Sequence, residues 1–468
     1  MALLLLLAAI CAAAVPVGST DAALADRSTT RSGFDALPTL WWASGTDAAG
    51  EHGDGVAGDG TAVAARVNWR VGLTFPKGVA VTKVAVGDGS ACAVAGGRLY
   101  CWGANDHGQL GDGSSTASSD PVAVATDGVG GSALPASAEV TDVTVGSGAA
   151  CAVAGGNVYC WGDNAVGRLG HDSPAGSAVP VAVATDGIGG SAMPSGLATR
   201  VVTGGGGAGS ATAFTCALAD ARAYCWGSRD SGRLGDGVQG PMPSLVPELV
   251  VPVWGAAPVQ DIALGEASAC AAAAGRAFCW GRMIHGLIGN GINSAEVNET
   301  APLAVQTSPS SALPSTAVVT DVEVGATSAC ALADGIPYCW GTNIGGQLGS
   351  DLSTDTEPST TVVRRAVQVA RQGTGASELP ADAEVLGMST GGRVSGGDSW
   401  CLVARRPDEP ARPYCWGGGG AGQLGLGGPA DERVPRAMLA VPLSQLPAGL
   451  DVGQVAVGRD VTIVVAAP

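Results

Sequence analysis

The stretch CAVAGGRLYCWGANDHGQLGDG, Cys92 to Gly113, decides the fold, because the chain repeats it. CAVAGGNVYCWG begins at Cys151, CALADARAYCWG at Cys216, CAAAAGRAFCWG at Cys270 and CALADGIPYCWG at Cys330, aligned without gaps through the second cysteine. A sixth copy, CLVARRPDEPARPYCWG from Cys401, is the same unit lengthened at its centre. Each copy follows an apolar segment ending in glycine, such as VTKVAVG, VTDVTVG, VQDIALG or VTDVEVG. Most are followed by a Gly-rich turn, such as NDHGQLGDG at Asn105, NAVGRLG at Asn164 or NIGGQLG at Asn343. Successive second cysteines lie roughly 54 to 76 residues apart, a period that suits a propeller blade of about four strands.

The hairpin register follows from the turn. If Gly96-Gly97 is a two-residue turn, Cys92 stands opposite Cys101 as a non-hydrogen-bonded pair, where Cα atoms approach to about 4.5 Å. A disulfide fits that separation. The same arithmetic puts turns at Gly155-Gly156, Asp220-Ala221, Ala274-Gly275 and Asp334-Gly335 and pairs Cys151 with Cys160, Cys216 with Cys225, Cys270 with Cys279 and Cys330 with Cys339. The lengthened copy pairs Cys401 with Cys415. Zinc would need closer ligand spacing or histidines nearby, and the sequence offers neither. Six closable pairs imply an oxidising compartment.

Two half-units remain at the ends. VGQVAVGRDVTIVVAAP at the C-terminus matches the opening strands of a blade, and LWWASGTDAAGEHGDG from Leu40 resembles the second half. Joined, they make a seventh blade, shared between about 37–79 and 451–468, in which Trp41 is expected opposite Ile463 where other blades have a bridge. The expected fold is therefore all-β, a seven-bladed propeller of four-stranded blades closed by N- and C-terminal half-blades, spanning 37–468.

Composition agrees. The chain has 74 Gly and 27 Pro, 46% hydrophobic and only 14% charged residues, a profile of short strands and tight turns. Its net charge of −17 would repel phosphates, so no nucleic-acid partner is expected. The apolar run Ala2 to Val15 is short for a bilayer span, and Ala23-Leu24-Ala25 follows as an A-x-A-like cleavage site before Asp26. That pattern predicts a signal peptide over 1–25, a short linker over 26–36 and removal of Cys11. No other segment reads as a membrane span.

The repeated YCWG-x-N-x-x-G-Q-L-G element, preceded by V-x-V-G and a small-residue hairpin, resembles the regulator-of-chromosome-condensation repeat from about Leu37 onward. That resemblance implies a seven-bladed propeller. Founding members of the family act on a nuclear GTPase at chromatin, so guanine-nucleotide exchange is one implied function. This chain departs from them in its acidity, export signal and paired cysteines. The exported type-II β-lactamase inhibitor proteins, similar propellers that bind a protein through one face, suggest a secreted inhibitor as a second alternative. A propeller enzyme with a central-channel site is a third.

Candidate sites are few. The recurrence of Trp102, Trp161, Trp226, Trp280, Trp340 and Trp416 after each bridge assigns them to packing between blades. Trp69, Trp254 and Trp400 fall outside the motif; they read first as local core packing and, alternatively, as the candidate partner contacts. His52, His107, His171 and His285 lie in or near turns of different repeats, about a blade apart, too far to share a metal. Asp54, Asp112, Asp172 and Asp236 lack a dense calcium loop and read as solvated turn residues. No catalytic motif or cofactor signature stands out. The longer segments from Ala125, Ala184, Gly289 and Ser350 are the expected functional surface. Asn298-Glu299-Thr300 is a glycosylation sequon, meaningful in a eukaryotic secretory host. The expectation is an exported monomer, not an enzyme and without cofactor, that binds an unknown protein or cell-surface partner through loops on one face.

Overall fold

In a computed structural model the chain closes into seven four-stranded antiparallel sheets arranged as a β-propeller. The structure describes residues 40–53, 57–58, 60–66, 79–205, 211–282, 284–292, 298–350, 362–373, 377–393, 397–438 and 451–467. The expected leader, the linker, Cys11, Asp54 and Trp69 lie outside the described residues.

Blade 1 consists of Val81–Val86, Ser90–Ala95, Arg98–Gly103 and Ser118–Ala123, hydrogen-bonded in that order. Blades 2 to 6 repeat it over 140–182, 198–249, 259–304, 319–368 and 384–437. Blade 7 takes its first two strands, Asp451–Val457 and Val461–Ala467, from the C-terminal end and its last two, Leu40–Gly45 and Thr61–Arg66, from the N-terminal end. First strands of neighbouring blades lie against one another around the axis, which leaves each fourth strand as the outer edge.

Residue size explains the layering. The second strands, SACAVA in blade 1 and AACAVA in blade 2, are buried along their whole length, so both faces carry Ala, Cys and Val. Among the described residues seven apolar clusters form the core, and each draws on two adjoining blades; Cys92, Val94 and Leu99 of blade 1 pack with Val143 and Trp161 of blade 2 in one of them. Core and blade seam are thus the same thing.

Hairpin turns set the register. Gly96 and Gly97 have φ of +57° and +73°, as a tight turn matching the strand twist requires, and the ladder pairs Ala95 with Arg98 and Cys92 with Cys101.

Blade 7 corrects one expectation. Ala43, not Trp41, faces Ile463, while Trp41 faces Val465. Gly45 fixes this register: at φ +112° it occupies the place of Gly103 in blade 1, where a Cβ would collide with the Asp460 carbonyl oxygen. The pair in the bridge position is still apolar, and both residues are 1% exposed. Ser44 consequently stands where the other blades have tryptophan.

The outer edges are covered. Gly113 N–H donates to Ala178 O at 3.0 Å and Ala133 N–H to Pro180 O at 2.8 Å, so two connections of blade 1 strap the edge strand of blade 2. Asp172 and Ala192 do the same to Leu245 and Pro247 of blade 3, at 3.1 and 3.0 Å. The prolines remove an outward N–H and the straps occupy carbonyls, which blocks edge-to-edge pairing.

Candidate functional site

Six disulfides join Cys92–Cys101, Cys151–Cys160, Cys216–Cys225, Cys270–Cys279, Cys330–Cys339 and Cys401–Cys415, with Cα separations of 4.0 to 4.1 Å. All twelve sulfurs sit in the seams, where they act as packing as well as cross-links. Such pairs fit a non-reducing environment. No helix among the described residues is long and apolar enough to cross a membrane.

The motif tryptophans are seam locks. Trp161 Nε1 donates to Gln109 O at 2.8 Å, Trp226 Nε1 to Arg168 O at 2.7 Å and Trp280 Nε1 to Arg233 O at 2.9 Å, each reaching the turn of the preceding blade. Ser44 keeps this bond without the ring, its Oγ donating to Gln423 O at 3.1 Å. The motif asparagine holds the turn itself: Asn105 Oδ1 accepts from Leu110 N at 2.9 Å, and Asn164 Oδ1 from Leu169 N at 2.9 Å.

Of the three tryptophans outside the motif, Trp400 takes the packing role and not the partner-contact one. It is 0% exposed, stacks on Trp416 at 6.3 Å and donates through Nε1 to Ser328 Oγ at 2.9 Å, so it packs the seam between blades 5 and 6. Trp254 is half-buried, edge-on to Phe278 at 5.5 Å. The Trp400 ring is wholly engaged in the core, whereas Trp254 packs against the edge of a cluster and stays partly exposed.

The histidines do not converge. His52 is buried, His107 exposed, and His171 and His285 half-buried on separate blades. Burial is the main cause that holds the His171 and His285 imidazoles below the usual histidine range. Among the described residues no three His, Cys, Asp or Glu side chains are placed to hold a metal ion.

A funnel of about 380 Å³ opens at one end of the axis. Its wall is the glycine ending each first strand, among them Gly87, Gly146, Gly265, Gly325 and Gly458, with Asp88, Glu266 and Arg459 as its charged lining. Asp88 and Arg459 pair across the closure seam at 2.6 Å. Glycine dominates the wall, and Ser147, Thr203 and Thr390 supply its hydroxyls.

Sequence reading missed a polar belt deeper along the axis. Asp142 Oδ2 accepts from Val201 N at 2.7 Å, Asp261 Oδ2 from Val322 N at 2.8 Å, and Gln454 Oε1 from Val84 N at 2.9 Å, each bridging to the next blade. Lys83 pairs with Asp142 and Arg200 with Asp261. Burial, then the neighbouring Asp261 carboxylate, pushes Asp321 well above the usual carboxyl range. The signal was present as the charged or amide residue at the third place of VTKV, VTDV, ATRV, VQDI and VGQV, but only the ring places those residues beside one another.

The Regulator of chromosome condensation (RCC1) repeat matches residues 96–153, 155–191 and 412–465, and a second description of the same repeat matches 81–109. The E3 ubiquitin-protein ligase HERC2 of Homo sapiens is 29% identical over 277 residues, 58% of this chain but 5% of that protein. This chain therefore spans a small part of that relative. Among solved structures, human WBSCR16 is similar with a TM-score of 0.69 at 16% identity, over 92% of this chain and 99% of the other. Prp20p from Saccharomyces cerevisiae, described with its binding to Gsp1p and histones, gives 0.70 at 20% identity over 93% and 92%. At these identities the likeness is one of fold.

Proposed function

The chain carries Regulator of chromosome condensation (RCC1) repeats on a seven-bladed propeller, and on that premise we propose that it is an exported protein-binding scaffold working through the connections between its strands and blades. One observation carries this reading. Every large aliphatic side chain that is strongly exposed among the described residues lies on a connection and none on a strand, Met242 at 76%, Ile344 at 71%, Val129 at 63% and Ile188 at 59% among them. Strands supply a uniform frame, and the connections supply what differs. Buried bridges favour action outside a reducing cytosol.

The test has two arms. Intact mass of protein exported by its own host, with alkylation before reduction, is expected to show a lost leader and no alkylated thiol. In parallel, GDP release from a small GTPase is expected to be unchanged by the oxidised chain. Twelve alkylated cysteines together with accelerated GDP release would replace the scaffold with the exchange reading.

A further inference from the structure

Two of the edge straps are near copies, ATDGVGGSALP over 125–135 and ATDGIGGSAMP over 184–194. Both are held from inside. Ser132 Oγ donates to Ala125 O at 2.7 Å and Ser191 Oγ to Ala184 O at 2.8 Å. Asp127 and Asp186 sit at φ +51° and +52°, and their Oδ1 atoms accept from Ala136 N at 2.8 Å and Ser195 N at 3.2 Å.

At the tip of each strap stands one aliphatic side chain, Val129 or Ile188, 63% and 59% exposed. The chain spends left-handed backbone at a non-glycine residue to hold an apolar knob in water, twice, on adjacent blades. Neither knob packs the core. Because the straps lie over the edge strands of blades 2 and 3, the knobs project from the side wall of the disc, away from the axial funnel.

Within the straps and the turns that precede them, charge is almost all of one sign. Residues 104–135 contain four Asp and no Lys or Arg. Residues 163–197 contain Arg168 alone, and it is buried and paired with Asp163 at 2.9 Å. Asp172 lies against the second knob's loop: a Cβ on Gly189 would meet its Oδ1 at 2.6 Å. The edge carbonyls beneath are already taken by the straps, so a partner cannot add a strand and must bind through side chains.

We propose that this side wall, with Val129 and Ile188 as anchors and Asp112, Asp127, Asp172 and Asp186 around them, docks a basic amphipathic segment of a protein partner. The inference rests on the scaffold reading and specifies its surface and partner chemistry. An apolar face on the partner would cover the two knobs, and its Lys or Arg residues would face the aspartates, with an on-rate that falls as salt rises.

The probe is a fluorescein-labelled helical peptide of Leu and Lys, titrated by anisotropy against the full oxidised chain. The controls are the same pattern with Glu for Lys and with Ser for Leu. Val129→Ser/Ile188→Ser removes the knobs, and Asp127→Asn/Asp186→Asn removes charge while keeping the carbonyl acceptor and tolerance of left-handed backbone. Saturable binding of the Leu/Lys peptide alone, weakened about ten-fold or more by the first variant, is the expected result. The second variant is expected to weaken binding at low salt and flatten its salt dependence. Equal binding by both variants and wild type, equal binding of the Glu peptide, or no saturable binding overturns the proposal. The scaffold reading fails separately, on GDP release with free thiols.

Discussion

A Cβ added to Gly111 would stand 2.7 Å from Trp161 Nε1, on a backbone whose φ is +70°. Gly170 repeats the arrangement against Trp226 at 2.6 Å. The motif glycine is therefore needed twice over, for its backbone and for the tryptophan that must reach the carbonyl behind it. Gly111→Ala is expected to cost at least about 2 kcal/mol in denaturant unfolding, since the left-handed penalty of about 1–2 kcal/mol comes before any displacement of the ring. Gly240→Ala, with open space around it, is the control and should be neutral or slightly stabilising. Titration gives a second test at this scale. His171 and His285 have folded pKa values lowered from 6.5, first by burial, so as pH falls below 6.5 the unfolded chain takes up protons before the folded one does. Stability present above that pH is lost on acidification. Urea midpoints at about pH 7.5 and 5.5 should differ less in His171→Asn/His285→Asn than in wild type; an equal difference would assign the acid sensitivity to other groups.

At the scale of the hairpin, Ala221 adopts φ +56° where the neighbouring repeats place Gly97, Gly156, Gly275 and Gly335. Ala221→Gly should raise stability by about 1 kcal/mol, because alanine carries the left-handed penalty and glycine does not. A midpoint that stays put or falls would mean the turn's strain is offset elsewhere. These hairpins were legible in the sequence because two cysteines and a two-residue turn leave one register open. The N-terminal strand was misread for the opposite reason. It has no cysteine, its paired tryptophans resemble YCW, and the register is set by Gly45, whose importance appears only when the Asp460 carbonyl lies across from it. Straps were invisible for a related cause: a bond such as Gly113 N–H to Ala178 O joins two blades, and nothing in either segment marks the other as its partner. The candidate surface was half legible. ATDGVGGSALP and ATDGIGGSAMP stood out as loops, but their place on the side wall follows from the edge strand beneath them.

Over the whole molecule, six blades are stapled within themselves, yet no described bridge spans the closure on which the ring depends. Each existing bridge closes a short loop, worth about 3 kcal/mol in chain entropy. A bridge between the N- and C-terminal halves of blade 7 would close a loop of roughly 420 residues, worth about 6 kcal/mol on the same relation. Ala43 and Ile463 are direct partners in the position that cysteines occupy elsewhere, so Ala43→Cys/Ile463→Cys should form a seventh disulfide without moving the backbone. The gain must exceed the packing lost with Ile463, which the single variants measure, and the double variant should unfold well above the sum of the two. Intact mass then separates the registers. A seventh bridge in Ala43→Cys/Ile463→Cys and none in Trp41→Cys/Ile463→Cys is the expected pattern. The reverse would mean that the ring closes two residues out of step with Gly45, and that Ser44 does not stand in the tryptophan's place.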